Sequence, residues 1–152
     1  MHKYNWKVRI ISSKVLGEKG ENMQVKVGTD IIEVARIENS IEELGDKFIN
    51  KVFTEKEIEY CKDTKALKYQ HYAARFAAKE ATFKAISDLL NDKYSVSWKN
   101  IQVINNKQGK PEIEFVSLDK EVEKELKKII SIDVSLSHIK EFAVANVCLI
   151  CN

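Results

Sequence analysis

The sequence predicts an α+β fold, with a small antiparallel or mixed sheet packed against a long central helix and several shorter helices. Three observations carry that prediction. Residues 24–32 alternate and are rich in β-branched side chains, as a strand requires. Residues 75–85 contain neither Gly nor Pro, and Ala or straight-chain residues fill most positions, which favours a helix. From residue 98 the period shortens again, giving two strand pairs separated by a helical segment. At 152 residues, 44% apolar and 32% charged, the chain is one domain by length with enough material for a core.

Residues 1–22 read as an extension, and 23–152 as the domain. Before Glu18 the extension holds Lys3, Lys7, Arg9 and Lys14 and no acid, like the end of a transit peptide. Upstream read-in before a true start at Met23, and a cloning remnant, are the alternative readings. In the strand at 24–32, Gly28 marks a close backbone approach and Asp30 lies near the end among apolar neighbours. A helix over 34–44 carries Arg36 and stops at Gly45 as a C-cap. A short segment covers 46–52, and Thr54-Glu55-Lys56-Glu57 is a capping box that starts a helix to about Cys61.

The long helix is expected from near 65 to 90. Its Phe76, Phe83 and Leu90 form one stripe, while Ala74, Ala77, Ala78, Ala81 and Ala85 form a face that admits another backbone. Residues 98–105 and 111–116 form a hairpin around the turn at 105–110. Ser117 is expected to cap an amphipathic helix over 118–130, with Val122, Leu126, Ile129 and Ile130 inward. Strands at 132–137 and 141–150 close the chain, with His138 between them.

Net charge is +2 with Lys and acids alternating, which calls for no nucleic-acid partner. No apolar run approaches the length of a membrane span. Three cysteines give no disulfide framework, which suits a reducing compartment. Cys148-Leu149-Ile150-Cys151 spells C-x-x-C, but it ends a strand, without the helix N-terminus of a redox pair or the further ligands of a zinc site. Only three of the 25 basic residues are Arg, and two of them, Arg36 and Arg75, fall in the segments singled out below. Asp30 reads as a turn residue, a helix N-cap or a metal ligand at a strand end. Glu80 and Lys84 read as an ordinary helical i,i+4 pair or as a carboxylate that a cation holds beside an apolar stripe. His138 reads as a solvated turn residue or a catalytic one.

Four stretches in order resemble the holo-[acyl-carrier-protein] synthases, the small bacterial-type 4′-phosphopantetheinyl transferases. Val27-Gly28-Thr29-Asp30-Ile31-Ile32 with Arg36 resembles their opening G-x-D-I…R-I motif. Arg75-Phe76-Ala77-Ala78-Lys79-Glu80-Ala81 with Lys84-Ala85 resembles the R-F-A-x-K-E-A-x-x-K-A signature. Asn106-Lys107-Gln108-Gly109-Lys110-Pro111 is similar to the N-x-x-G-x-P hairpin. Ser135-Leu136-Ser137-His138 with Glu141-Phe142-Ala143-Val144-Ala145 resembles the S-x-[ST]-H…Y/F-A-x-A ending.

The resemblance implies the 4′-phosphopantetheinyl transferase-like fold. It also implies transfer of the phosphopantetheine arm from coenzyme A to a serine of acyl carrier protein, in support of fatty acid biosynthesis. Adenosine 3′,5′-bisphosphate is the implied product. Mg²⁺ is the implied cofactor, held by Asp30 and Glu80, with Lys84 neutralising the diphosphate. The same resemblance gives Arg75 and His138 to phosphates of coenzyme A, and Gly109, Lys110 and Pro111 to its adenine end. The base that takes the serine proton stays open between Glu80 and a water on the cation. On an ideal helix Arg75 and Glu80 point about 140° apart, so one small ion does not face both. The family's homotrimers, with active sites between subunits, would unite them.

Arg36 matches the family's docking arginine for an acidic carrier, but Glu42 and Glu43 follow where relatives often carry further basic residues. The implied location is the bacterial cytoplasm, or a plastid-type stroma if the extension is a transit-peptide remnant, and not the secreted space. Two other functional classes stay in view. One is a metal-dependent nucleotide or coenzyme A phosphohydrolase. The other is a non-catalytic coenzyme A-binding module.

Overall fold

The structure, a computed structural model, describes residues 23–64 and 67–152. The readings of 1–22 therefore lie outside the described residues. Strand β1 (Gln24–Glu33) leads into helices α1 (Val34–Leu44), α2 (Asp46–Val52), α3 (Glu55–Asp63) and α4 (Lys68–Ile86). A hairpin of β2 (Ile101–Asn105) and β3 (Pro111–Phe115) follows, then α5 (Lys120–Leu126), β4 (Ile129–His138) and β5 (Phe142–Cys151). The expected α+β class is found, and both sheets are antiparallel: a three-stranded one in the order β1-β5-β4, and the β2-β3 hairpin. Among the described residues no helix is long and apolar enough to cross a membrane.

The central strand β5 turns Ala143, Ala145, Val147, Leu149 and Cys151 inward, each at most 1% exposed. Helix α4 lies across that face and contributes Ala73, Ala77, Ala78, Ala81 and Ala85 to the same core. Small residues on both surfaces let the backbones meet closely, so the Ala face serves this chain's own sheet. The tightest point is Gly28. A Cβ there would lie 1.9 Å from the Ala81 carbonyl oxygen, well inside contact distance. The close approach expected from Gly28 is thus a strand-on-helix contact.

Three boundaries differ from expectation. Residues 98–100 form a single 3-10 turn before β2, because Ser97 N–H and Oγ both bond to the Asn100 side chain and tighten the entry. The helix expected over 118–130 is only Lys120–Leu126, with Asp119 and not Ser117 as its N-cap. Ser117 adopts φ 52°, which sets it outside the helix. Ile129 and Ile130 belong to β4, whose ladder to β5 starts at Ile129↔Cys151 and resumes at Ser131↔Ile150, so Ile129 gains a strand partner while Ile130 lies in a bulge, 57% exposed and not inward. Helix α4 itself stops at Ile86 and closes with a Leu89 N–H to Ile86 carbonyl turn.

One buried ion pair ties the helical layer to the hairpin. Glu57 and Lys79 are both fully buried, with Nζ 2.9 Å from Oε2. Glu57 also accepts from the backbone N–H of Thr54 at 2.8 Å and of Val103 at 3.0 Å. Lys79 donates onward to the Trp98 carbonyl at 2.9 Å and to the Ile101 carbonyl. Burial holds the Lys79 ammonium below its ordinary 10.5, and Glu57 opposes that shift. The capping-box Glu57 therefore does more than start α3.

Removing one partner of a buried pair strands the other charge. Lys79→Met should lower the unfolding free energy by about 3–5 kcal/mol in urea titration. Gly28→Ala should also destabilise, because its Cβ collides with backbone and not with a movable side chain. A loss under about 1 kcal/mol in both variants, within ordinary surface-mutation scale, would remove this account of the core.

Candidate active site

Asp30, near the C-terminal end of β1, faces the Glu80 turn of α4. Lys84 sits one turn further along α4 and donates to Asp30 Oδ1 at 2.8 Å and to the Thr29 carbonyl at 2.8 Å. Asp30 is 16% exposed and Lys84 50%, so the pair lies at a cleft edge. That cleft, about 310 Å³, is lined by Asp30, Ile32, Arg36, Ser40, Phe76 and Glu80 among others. Burial first, and then the neighbouring Asp30 carboxylate, push Glu80 above its ordinary 4.5, and Lys84 offsets part of this. Two carboxylates on one cleft wall, one raised by burial and by the other, form a donor set that fits Mg²⁺. That ion takes one or two carboxylates and fills its remaining positions with water and substrate oxygens.

A second constellation lies elsewhere on α4. Arg75 is 3% exposed, and its Nη2 donates to Asn105 Oδ1 at 2.8 Å. Its guanidinium lies 3.9 Å over the ring of Tyr60, while its Nε is buried without a partner. Among the described residues no carboxylate pairs with it. A buried guanidinium held by neutral groups and left with a spare donor is a receptive place for an anion. His138, the last residue of β4 and not part of the β4–β5 turn, approaches from the sheet. Its ring lies 5.4 Å from that of His71, which is one turn before Arg75 on α4.

The hairpin turn carries the third group. Gly109 takes φ 81° and its N–H bonds to the Asn106 carbonyl at 2.9 Å, a conformation that favours Gly. Asn105 Nδ2 donates to the Gly109 carbonyl at 2.9 Å, so one side chain links the turn to Arg75. Lys110 pairs with Asp133 at 2.8 Å, and Lys110 and Pro111 border a cavity of about 450 Å³ against the outer sheet face.

Thus Asp30, Glu80, Lys84 and Arg36 gather at one place, and Arg75 and His138 at another. Arg36 is exposed on α1, with Glu42 and Glu43 also exposed beyond it. Cys148 and Cys151 fall on opposite faces of β5, one exposed and one buried, and all three cysteines are free. Tyr60, His71 and Asn105 escape the sequence reading. Only Asn105 carried a signal, as the residue preceding the hairpin motif.

The Glu80 shift has a sign that can be measured without substrate. A carboxyl whose folded pKa is raised destabilises the fold above that pKa and costs nothing below its ordinary value. Glu80→Gln should therefore raise Tm at pH 7 by up to about 3 °C, with the gain vanishing near pH 4. An unchanged or lowered Tm at pH 7 would contradict the burial of Glu80 and its crowding by Asp30.

Comparison with known proteins agrees with this architecture. The family model of the 4′-phosphopantetheinyl transferase superfamily matches residues 26–147. A holo-[acyl-carrier-protein] synthase of Ruminiclostridium cellulolyticum is 46% identical over 123 residues, covering 81% of this chain and 90% of that protein. The structure of a Bacillus anthracis holo-(acyl-carrier-protein) synthase in complex with CoA (3′,5′-ADP) superposes with TM-score 0.66 at 37% identity, covering 86% of this chain and 99% of that one. The Helicobacter pylori holo-[acyl-carrier-protein] synthase in complex with coenzyme A does so with TM-score 0.65 at 27% identity, covering 81% and 98%. A family match across both constellations, with relatives spanned almost end to end, leaves one assignment: the chain belongs to the holo-[acyl-carrier-protein] synthase family of the 4′-phosphopantetheinyl transferase superfamily.

Proposed function

We propose that this chain transfers the 4′-phosphopantetheine arm of coenzyme A to a serine of apo-acyl carrier protein, with Mg²⁺, as a homotrimer whose active sites form between subunits. The observation that carries this reading is the division of α4. Glu80 joins Asp30 and Lys84, whereas Arg75 joins Asn105, Tyr60 and the imidazoles. Each copy thus holds two half-sites, and a long ligand such as coenzyme A can run from one copy's carboxylates to its neighbour's arginine. Relatives solved with coenzyme A bound support the choice of ligand.

In that complex the serine oxygen forms a bond to the β-phosphorus, and the bond from this phosphorus to the oxygen bridging the two phosphates breaks. The serine proton passes to a base, either Glu80 or a water beside it, and adenosine 3′,5′-bisphosphate leaves. Asp30 and Glu80 would hold Mg²⁺, which supplies charge stabilisation to the pyrophosphate oxygens when bound. Lys84 turns from Asp30 to the same phosphates as a point charge. Arg75 and His138 grip a phosphate further along coenzyme A, and Gly109, Lys110 and Pro111 border its adenine end. Arg36, exposed on the rim of the carboxylate cleft, meets the acidic carrier there and brings its serine close. The carrier's role makes fatty acid synthesis the process served.

The outer face of the three-stranded sheet supplies a surface for assembly. Val25, Val27 and Ile31 of β1 are 68%, 69% and 64% exposed, and Ile150 of β5 continues the patch. Such a strip of β-branched side chains favours burial against a second copy.

Two experiments test the reading. Apo-acyl carrier protein incubated with the enzyme, coenzyme A and Mg²⁺ should gain the mass of one phosphopantetheine, and EDTA should prevent it. Asp30→Ala and Glu80→Ala should each abolish the gain while keeping the fold. Coenzyme A consumed without any gain would instead favour a hydrolase, and binding indifferent to Glu80→Ala a non-catalytic module.

Subunit mixing addresses the shared site. Glu80→Gln and Arg75→Met, each inactive alone, should recover about one quarter of wild-type activity when co-assembled in equal amounts, since closed rings pair unlike half-sites at random. No recovery in a mixed assembly confirmed by native mass spectrometry would place the whole site within one chain.

A further inference from the structure

The Arg75 cluster holds one imidazole that the reading above leaves without a task. His71 is half-buried between Tyr60 of α3, with ring centroids 5.3 Å apart, and His138 of β4, at 5.4 Å. Its Nδ1 lies 3.0 Å from Thr64 Oγ1. A threonine hydroxyl has a single proton to give, and Thr64 gives it to the Cys61 carbonyl at 3.0 Å. Thr64 therefore faces His71 as an acceptor, and His71 Nδ1 carries the hydrogen. The neutral ring is fixed as that tautomer, and its Nε2 keeps a lone pair.

We propose that His71 is a proton-dependent specificity residue of the anion site, taking a proton on Nε2 when a phosphate monoester dianion binds beside Arg75 and His138. The proposal rests on the reading of Arg75 and His138 as a phosphate site for coenzyme A. Within coenzyme A the 3′-phosphate is the monoester. It carries close to two negative charges at neutral pH, since its second ionisation lies near pH 6. Each phosphate of the pyrophosphate carries only one. Arg75 offers one fixed positive charge, so a dianion leaves a second charge uncompensated.

Without ligand, burial first, then Arg75, then His138 hold His71 below its ordinary 6.5. The groups facing it are consistent with that direction. Tyr60 approaches from α3, and Cys61, whose carbonyl accepts the Thr64 hydroxyl, has a thiol pushed up to about 12 by burial and hence uncharged. Arg75 lies on its own helix and His138 on β4, and Thr64 does not ionise. No described carboxylate contacts the ring. An arriving dianion reverses the local field, and the complex then binds up to one more proton than its separated partners.

Linkage gives the sign. A complex that holds an extra proton weakens as pH rises, by at most about tenfold per pH unit for one proton. The loss begins above the depressed value of the free ring and ends above the raised value of the bound one.

Isothermal titration at about pH 7.5, in two buffers of different protonation enthalpy, reads the proton directly. Wild-type protein should take up a fraction of a proton per coenzyme A and none with dephospho-coenzyme A, which lacks the 3′-phosphate. His71→Asn keeps a donor for Thr64 and cannot become charged; it should abolish the uptake and narrow the preference for coenzyme A over dephospho-coenzyme A by about three- to tenfold. In turnover assays the change should appear in KM and its pH profile, not in kcat. His71→Gln provides the same reading should the Asn variant not fold. Undiminished uptake in the His71 variants, or uptake lost only in His138→Asn, would overturn the proposal while leaving the phosphate site intact. Equal binding of coenzyme A and dephospho-coenzyme A by the wild type would instead overturn the phosphate-site reading beneath it.

Discussion

The rotational setting of α4 depends on the buried pair between Glu57 and Lys79. Two charges removed from water are tolerable only when every lone pair and proton finds a partner. Here Glu57 spends its oxygens on Lys79, Thr54 N–H and Val103 N–H, and Lys79 reaches the carbonyls of Trp98 and Ile101. The node thereby clamps α3, α4 and the start of β2 together. A helix locked in rotation at Lys79 has its other directions decided. Arg75, one turn earlier on nearly the same face, points toward α3 and β2, while Glu80, about 100° round, points toward β1.

The opposite side of α4 is fixed by shape. Gly28 and the Ala residues bring β1 and β5 against the helix at a distance no larger side chain permits. Charge on one side and close packing on the other leave the helix no freedom to turn. The two half-sites inherit that rigidity, as preorganised electrostatic catalysis requires. The carboxylate half carries a cost in the free protein, because burial and Asp30 both disfavour the ionised form of Glu80. The arginine half carries another, a guanidinium buried without a counter-charge among the described residues. On the proposed reading, ligands of opposite sign would relieve both, a cation at one end and a phosphate at the other.

Charge at the rim follows a different logic. Arg36 stands at the mouth of the carboxylate cleft, yet Glu42 and Glu43 on the same helix are exposed nearby. On the proposed reading, an acidic carrier approaching α1 would meet one attractive charge and two repulsive ones. Its approach would then lean on contacts made at the cleft itself more than on long-range steering.

What the sequence determined by itself was local: the alternation of β1, the helical character of α4, the turn chemistry at Gly109 and the four stretches shared with the family. Each is readable because its cause lies within a few residues, in periodicity, propensity or a required φ. Even there the ends drifted, as Ile129 went to β4 once Cys151 of β5 offered a ladder partner, and Ile130 followed it as a bulge. Tertiary structure alone decided that the Ala face serves the chain's own sheet, that Glu57 reaches Val103 across 46 positions, and that Arg75 gathers Asn105, Tyr60 and His71 while Glu80 turns to Asp30. Those pairings depend on how a locked helix is rotated against distant strands, a quantity that no local pattern encodes.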